Sequence, residues 1–490
     1  MTTRCCGLRV RSGKRRNRLL HRHFRGARKV RPGSRDSGLD ANASRGMTST
    51  DGNTMNLFSL LNARRAAGKP VRVALIGAGK FGSMFLSQVP HVPGLEVSVI
   101  VDLDPERARE ACRTVGWDSA QIESTNFTAD STKATSDGIE VMVEATGNPA
   151  AGIRHARAAI KAGKHIVMVN VEADVLAGPL LAEEARKAGV VYSLAYGDQP
   201  ALTAEMVDWA RATGFRVVCA GKGTKFLPAY HDVTPDGVWQ HYGLTRSEAQ
   251  SAGMNPQMFN SFLDGTKSAI EMAAIANATG LDVPHNGLQF PPCGVDDLPH
   301  VLRPRAQGGI LEKAGMVEVV SSQERDGRPV FRDLRWGVYV VLEAPNDYAA
   351  DCFKQYGLKT DGSGRYAAMY KPYHLIGLEL NISVLSAALR KEATGQPLSF
   401  RGDVAAVAKR PLRKGEMLDG EGGYTVWGRL MPAEASLKAG ALPIGLAHKV
   451  KLKNDIAHGE VVRWSDVEFD AENDTIRTRK AMEAAFAAGR

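Results

Sequence analysis

Residues 71–89 read VRVALIGAGKFGSMFLSQV. An apolar run of strand length enters a glycine-rich turn and leaves as an amphipathic helix. Within it stands Gly77-Ala78-Gly79-Lys80-Phe81-Gly82. The first glycine permits the tight turn, the second lets backbone approach a pyrophosphate, and the third allows close packing of helix on strand. The helix start adds free N–H groups and positive potential. A lone GxGxxG is a weak signal, but here LEVSVIVDLD follows as a second strand ending at Asp102. That position suits a carboxylate on an adenosine ribose. Gly77, Gly79, Lys80, Phe81, Gly82 and Asp102 are therefore candidate cofactor contacts. Asp102 alone favours NAD, because a carboxylate repels a 2′-phosphate. Arg107 on the following helix offsets that and admits NADP(H).

Outward from this point strands and helices alternate. PERAREACRTVG is read as a helix, IEVMVEATG as a strand, NPAAGIRHARAAIKAG as a helix and KHIVMVNV as a strand. DVLAGPLLAEEARKAG and VVYSLAYG complete the series. This rhythm predicts βαβ units and a doubly wound parallel sheet over residues 55–197, an α/β Rossmann domain. An α+β domain for catalysis and dimer contacts is expected over 198–397, with helices at PALTAEMVDWARATG, SFLDGTKSAIEMAAIANATG and HLIGLELNISVLSAALRKEATG. In 398–475 a weak repeat appears: residues 410–418 read RPLRKGEML and residues 454–462 read NDIAHGEVV. It predicts a small β domain, followed by a helical tail over 476–490.

The 490 residues carry a formal charge of +10, unevenly placed. Residues 1–46 hold 14 Lys and Arg against Asp36 and Asp40, so the rest of the chain is close to neutral. This argues against a nucleic-acid partner for the body. Residues 1–54 lack an apolar core and do not read as a secretory signal. The reading preferred for them is upstream sequence translated in frame, with starts at Met47 or Met55; the alternatives are a transit peptide or a phosphate-binding arm. Six scattered cysteines form no CxxC pair, and no apolar run reaches membrane-spanning length. A reduced, cytoplasmic protein with no membrane partner is expected.

The candidate site residues lie mainly where strands meet the ligand edge. Thr146 and Gly147 in EATGNP are candidate contacts to the nicotinamide ribose, with Asn148 also a helix cap. Glu172 and Asp174 in NVEAD offer two acids for proton transfer, substrate hydroxyls or a cation, with an N-cap as the alternative for Asp174. Asp198 in GDQP marks a hinge that reaches the cleft. Lys222 and Lys225 in AGKGTKF are candidate anchors for an anionic group, made adaptable by Gly221 and Gly223. Asp264, Lys267, Ser268 and Glu271 follow i, i+3, i+4, i+7 and are expected on one helical face. His374 in KPYH is a candidate proton shuttle.

Together VALIGAGKFG, VEATG, VNVEADVLAG, GDQPALT, FLDGTKSAIEMA and YKPYHLIGLE resemble the deoxyxylulose-phosphate-reductoisomerase-like oxidoreductases of the homoserine dehydrogenase superfamily. The resemblance implies an NADP(H) domain, a homodimer, a C-terminal SAF-type domain and a phosphorylated sugar substrate. It also implies conversion of 1-deoxy-D-xylulose 5-phosphate to 2-C-methyl-D-erythritol 4-phosphate in non-mevalonate isoprenoid synthesis. A divalent cation, Mn²⁺ or Mg²⁺, would then sit on Glu172 and Glu271, with Lys267, Ser268 or Lys225 holding phosphate. Homoserine-dehydrogenase-like or sugar-acid chemistry and an NADP(H)-sensing binding protein are the alternatives. In the homoserine dehydrogenase pattern a lysine stands near where this chain has Glu172.

Overall fold

The computed structural model describes residues 56–488, apart from residue 252; the basic leader lies outside the described residues. Six strands form the first sheet: β1 (Val71–Ile76), β2 (Leu95–Val101), β3 (Asn126–Thr128), β4 (Val141–Glu144), β5 (His165–Met168) and β6 (Tyr192–Leu194). All pair in parallel, in the order β3-β2-β1-β4-β5-β6. β4 and β5 are buried along their whole length, which is why they read as continuous apolar runs. The strand order reverses between β1 and β4, so a crevice lies above their carboxyl ends.

A mixed sheet follows, from β7 (Arg216–Thr224), β8 (Met316–Ser321), β9 (Val338–Glu343) and β10 (Tyr366–Lys371), in the order β10-β9-β7-β8. The helices Gln199–Ala212 and Thr266–Thr279 pack on it through Leu202, Met206, Ile270 and Met272. Every residue of Thr266–Thr279 is buried except Lys267. A helix enclosed on all sides carries apolar and small residues all round, and AIEMAAIANA does so.

Three sequence expectations need correction here. SFLDGTKSAIEMAAIANATG is two helices, Pro256–Leu263 and Thr266–Thr279, broken at Gly265, whose φ of 88° only glycine adopts readily. Asp264 therefore leaves the shared face: it accepts from the Thr266 amide at 2.9 Å and pairs with Lys409 at 2.8 Å. The segment at His374 is not helical; regular helix begins at Asn381. It passes over the Rossmann domain instead, and a Cβ on Gly377 would stand 2.8 Å from Met84 Cβ. Finally, Gly221 and Gly223 are not a flexible turn. They lie within β7, where an added Cβ would meet the carbonyl oxygens of Glu318 and Leu334, each at 1.9 Å.

The C-terminal region holds two antiparallel pairs, β11 (Gly402–Ala408) with β13 (Val426–Pro432) and β12 (Met417–Asp419) with β14 (His448–Lys451). The two copies of the repeat meet at equivalent positions. The Leu412 and Ile456 amides each donate to the other's carbonyl, at 2.8 and 3.0 Å. Val404, Ala406, Leu430 and Leu442 share one apolar cluster with Ile270 and Val317 of the preceding region. The closing helix Asp474–Ala488 is pinned by fully buried Arg479, which reaches Asp403 at 2.6 Å and Glu483 at 2.9 Å. Among the described residues no helix is long and apolar enough to cross a membrane.

Candidate active site

The glycine-rich turn has the shape a dinucleotide needs. Gly77 has φ 96°, and a Cβ there would stand 2.7 Å from the Ala145 carbonyl oxygen. A Cβ on Gly82 would reach the Gly77 carbonyl oxygen at 2.4 Å, so only glycine lets the helix Lys80–Gln88 sit this close to β1. Gly79, at the N-cap, faces open space. Lys80 is exposed beside it and Phe81 half-buried. Asp102 accepts from the Ala78 amide at 2.9 Å and from Arg107 at 2.6 Å. Burial would raise its carboxyl, but the amides of Asp104 and Ala78 and the Arg107 guanidinium outweigh this and hold it below the usual range. The Arg107 side chain is 62% exposed, so it presents positive charge outward over a buried carboxylate.

At the end of β4, Thr146 donates to Glu144 at 2.6 Å, and Asn148 caps the next helix by accepting from Ala151 at 2.9 Å. Gly147 turns the chain with φ 67°. Asn170 caps the helix Val171–Lys187, accepting from Ala173 at 3.1 Å. Asp174 is therefore not the cap. It is buried inside the helix, hydrogen-bonded to the Tyr192 hydroxyl at 2.9 Å, and burial pushes it up to about 7.

Beyond this edge the fold brings together residues far apart in sequence. Glu172, in the first turn of its helix, accepts from Lys267 Nζ, and Glu271 accepts from Lys222 Nζ inside the protein. Asp198 caps the helix Gln199–Ala212 through the Gln199 amide at 2.8 Å. Hydrogen bonding orients the Gln199 side chain. Its nitrogen donates to Asp198 Oδ1 at 2.8 Å and Glu271 Oε1 at 3.2 Å, and its oxygen accepts from His374 Nε2 at 3.3 Å. His374 Nδ1 contacts the Trp336 carbonyl at 2.7 Å. Burial and the Glu271 charge push Asp198 up to about 6, against the pull of Lys267 and His374. Burial opposes the charge of Lys267, but Glu172, Glu421 and Glu271 overcome it and hold the ammonium well above its ordinary range.

Thus Glu172, Asp198, Lys222, Lys267, Glu271 and His374 converge. Lys222 is an internal counter-ion to Glu271, not an accessible anion anchor. Lys225 donates to the His241 carbonyl and lies over the Tyr242 ring. Ser268 is buried with its hydroxyl unpartnered. Gln199 and Glu421 were not among the residues singled out in the sequence; Gln199 neighbours Asp198, whereas no spacing signal marks Glu421. The residues do not fit a divalent cation. Glu172 and Glu271 are each paired with a lysine, and among the described residues no group of three His, Cys, Asp or Glu side chains is arranged to hold a metal ion.

Two family models match this chain. Residues 71–196 match an oxidoreductase family with an NAD-binding Rossmann fold, the GFO/IDH/MocA type, and residues 197–380 match the catalytic domain of oxidoreductase DRL. None of the curated proteins compared matches. Among solved structures, a putative oxidoreductase from Klebsiella pneumoniae is 15% identical, covering 67% of this chain and 88% of its own, with TM-score 0.34. GenD2 from gentamicin A biosynthesis, in complex with NAD, is 20% identical over 32% of this chain and 44% of its own, with TM-score 0.24. KijD10, a 3-ketoreductase from Actinomadura kijaniata in complex with NADP, is 18% identical over 32% of this chain and 50% of its own, with TM-score 0.23. The chain thus spans about half the length of GenD2 and of KijD10. These matches overturn the resemblance to deoxyxylulose-phosphate-reductoisomerase-like enzymes, and with it the conversion of deoxyxylulose phosphate.

The two matched segments are thus an NAD-binding Rossmann domain of an oxidoreductase family and an oxidoreductase catalytic domain. The cofactor domain is the six-stranded Rossmann sheet, and the Lys267 helix faces that domain's ligand edge.

Proposed function

We propose that this oxidoreductase uses NADP(H) to interconvert a carbonyl and a secondary alcohol held against Lys267 and Glu172. One observation carries the reading: the single unburied residue of the Thr266–Thr279 helix is a lysine, aimed at a carboxylate on the Rossmann ligand edge. Gly77, Gly79 and Gly82 would hold the pyrophosphate, with Lys80 and Phe81 at the helix start, and Thr146 and Gly147 the nicotinamide ribose. Arg107, exposed over Asp102, favours the 2′-phosphate of NADP(H).

The nicotinamide, when bound, supplies or accepts the hydride. Lys267 polarises the substrate oxygen and stabilises the charge that develops there as the carbonyl carbon is reduced. The oxygen takes a proton from the ammonium, and Asp198, linked through Gln199 to His374, restores protons near neutral pH. Lys222, by pairing with Glu271, keeps that second carboxylate from cancelling the field of Lys267.

The test is Lys267→Met, assayed by NADPH consumption across small hydroxyaldehydes, ketones and keto acids. Turnover is expected to fall by roughly 100-fold or more while NADPH affinity is retained. Wild-type turnover in the variant would falsify the assignment.

A further inference from the structure

A cavity of about 410 Å³ opens beside Glu172, away from the buried Lys222–Glu271 pair. The Rossmann edge contributes Asn148 and Glu172, the Pro256–Leu263 helix contributes Gln257, and the C-terminal region contributes Glu421, Gly445 and His448. Two carboxylates line it and no lysine or arginine does.

Glu421 is held in place before any ligand arrives. Its loop is closed by the Asp419 carboxylate, which accepts from the Tyr424 amide at 2.6 Å and the Thr425 amide at 3.1 Å. Gln257 donates to the Glu421 carbonyl at 2.9 Å, Asn260 to the Gly422 carbonyl at 2.9 Å, and Lys409 to the Gly423 carbonyl at 2.8 Å. A Cβ on Gly422 would stand 2.1 Å from the Gln257 carbonyl oxygen, so the loop lies directly on that helix.

We propose that the C-terminal β region completes the substrate site, with Glu421 a specificity-determining residue that selects a neutral polyhydroxylated chain over a phosphorylated or carboxylated one. This deepens the oxidoreductase reading and rests on it. A phosphate in this cavity would meet two carboxylates, with His448 the one basic side chain in the lining, while Lys267 lies outside it and is engaged by Glu172. Hydroxyl groups instead donate to carboxylates and to the amide oxygens of Asn148 and Gln257. Burial beside Glu172 pushes Glu421 up to about 7, against Lys267 and a hydrogen bond with Ser261. A polyol supplies this carboxyl with donors beside Ser261.

Calorimetric titration of the full chain loaded with NADP⁺ tests this, using glucitol, glucitol 6-phosphate and gluconate. Glucitol is expected to bind about tenfold or more tightly than either anion. Glu421→Lys should reverse that order for the phosphate. Gly445→Leu, which fills the cavity where a Cβ has only ordinary contacts with Leu176 and Pro149, should abolish glucitol binding and spare NADPH affinity. The proposal is overturned if wild type binds no glucitol or binds the phosphate as tightly. It is equally overturned if Glu421→Lys leaves the order unchanged, or if Gly445→Leu costs NADPH binding. NADPH binding and turnover by wild type test the underlying oxidoreductase reading separately.

Discussion

At the scale of single residues, the fingerprint glycines divide their work. A Cβ at Gly82 would press on the Gly77 carbonyl oxygen, whereas one at Gly79 meets only open space. Gly82→Ala is expected to cost roughly 1–3 kcal/mol of stability, read as a lower denaturation midpoint. Gly79→Ala should fold normally and bind NADPH about tenfold more weakly or worse, since its Cβ intrudes only where the pyrophosphate lies. Equal effects of the two on stability would contradict this division. Asp198 makes a different prediction. Held up to about 6, its carboxyl loses charge as pH falls through that value. In the direction of alcohol oxidation, where a base is needed, kcat/KM should rise with pH and level off above about 6. Asp198→Asn should flatten that limb; a limb that survives the substitution assigns it elsewhere.

At the scale of elements, the sequence carried the Rossmann units well because each strand and helix there has its own periodicity and punctuation. The site helix was less legible. The i, i+3, i+4, i+7 spacing of Asp264, Lys267, Ser268 and Glu271 assumes an unbroken helix, and Gly265 breaks it between the first and second of these. Even on one helix, Lys267 and Glu271 take separate partners, Glu172 and Lys222. Lys222 shows the same limit: AGKGTKF looks like a glycine-loosened turn, yet those glycines admit neighbouring backbone within a sheet. Asp174 offers a test of the Val171–Lys187 helix. Because burial raises its carboxyl to about 7, the folded chain holds a proton that the unfolded chain releases above its ordinary value of 3.8. Stability should therefore fall as pH rises across that window. Asp174→Asn keeps an acceptor for Tyr192 without the buried charge, so it should raise Tm by a few degrees near pH 8 and much less near pH 5. A uniform change at both pH values would remove the explanation.

At the scale of the whole molecule, the C-terminal β region is an integral part of the core. Val404, Ala406, Leu430 and Leu442 close over the same apolar cluster as Ile270 and Val317, and Arg479 locks the last helix to Asp403. A chain ending at residue 397 would expose that cluster, so it should be recovered aggregated or without a cooperative unfolding transition. A soluble, cooperatively folding truncation would show that the region is a separate module. By itself the sequence determined the Rossmann sheet, its glycine fingerprint and the Asp102–Arg107 pair, because these rest on local turns, caps and strand periodicity. It also marked Glu172, Asp198, Lys267 and Glu271 as chemically capable. Only the tertiary structure decided which of them meet. The partners of Lys267 and Lys222 lie 95 and 49 residues away, and Glu421 reaches the site from a separate region. Charges so far apart in sequence are paired by packing, and no local pattern records that pairing.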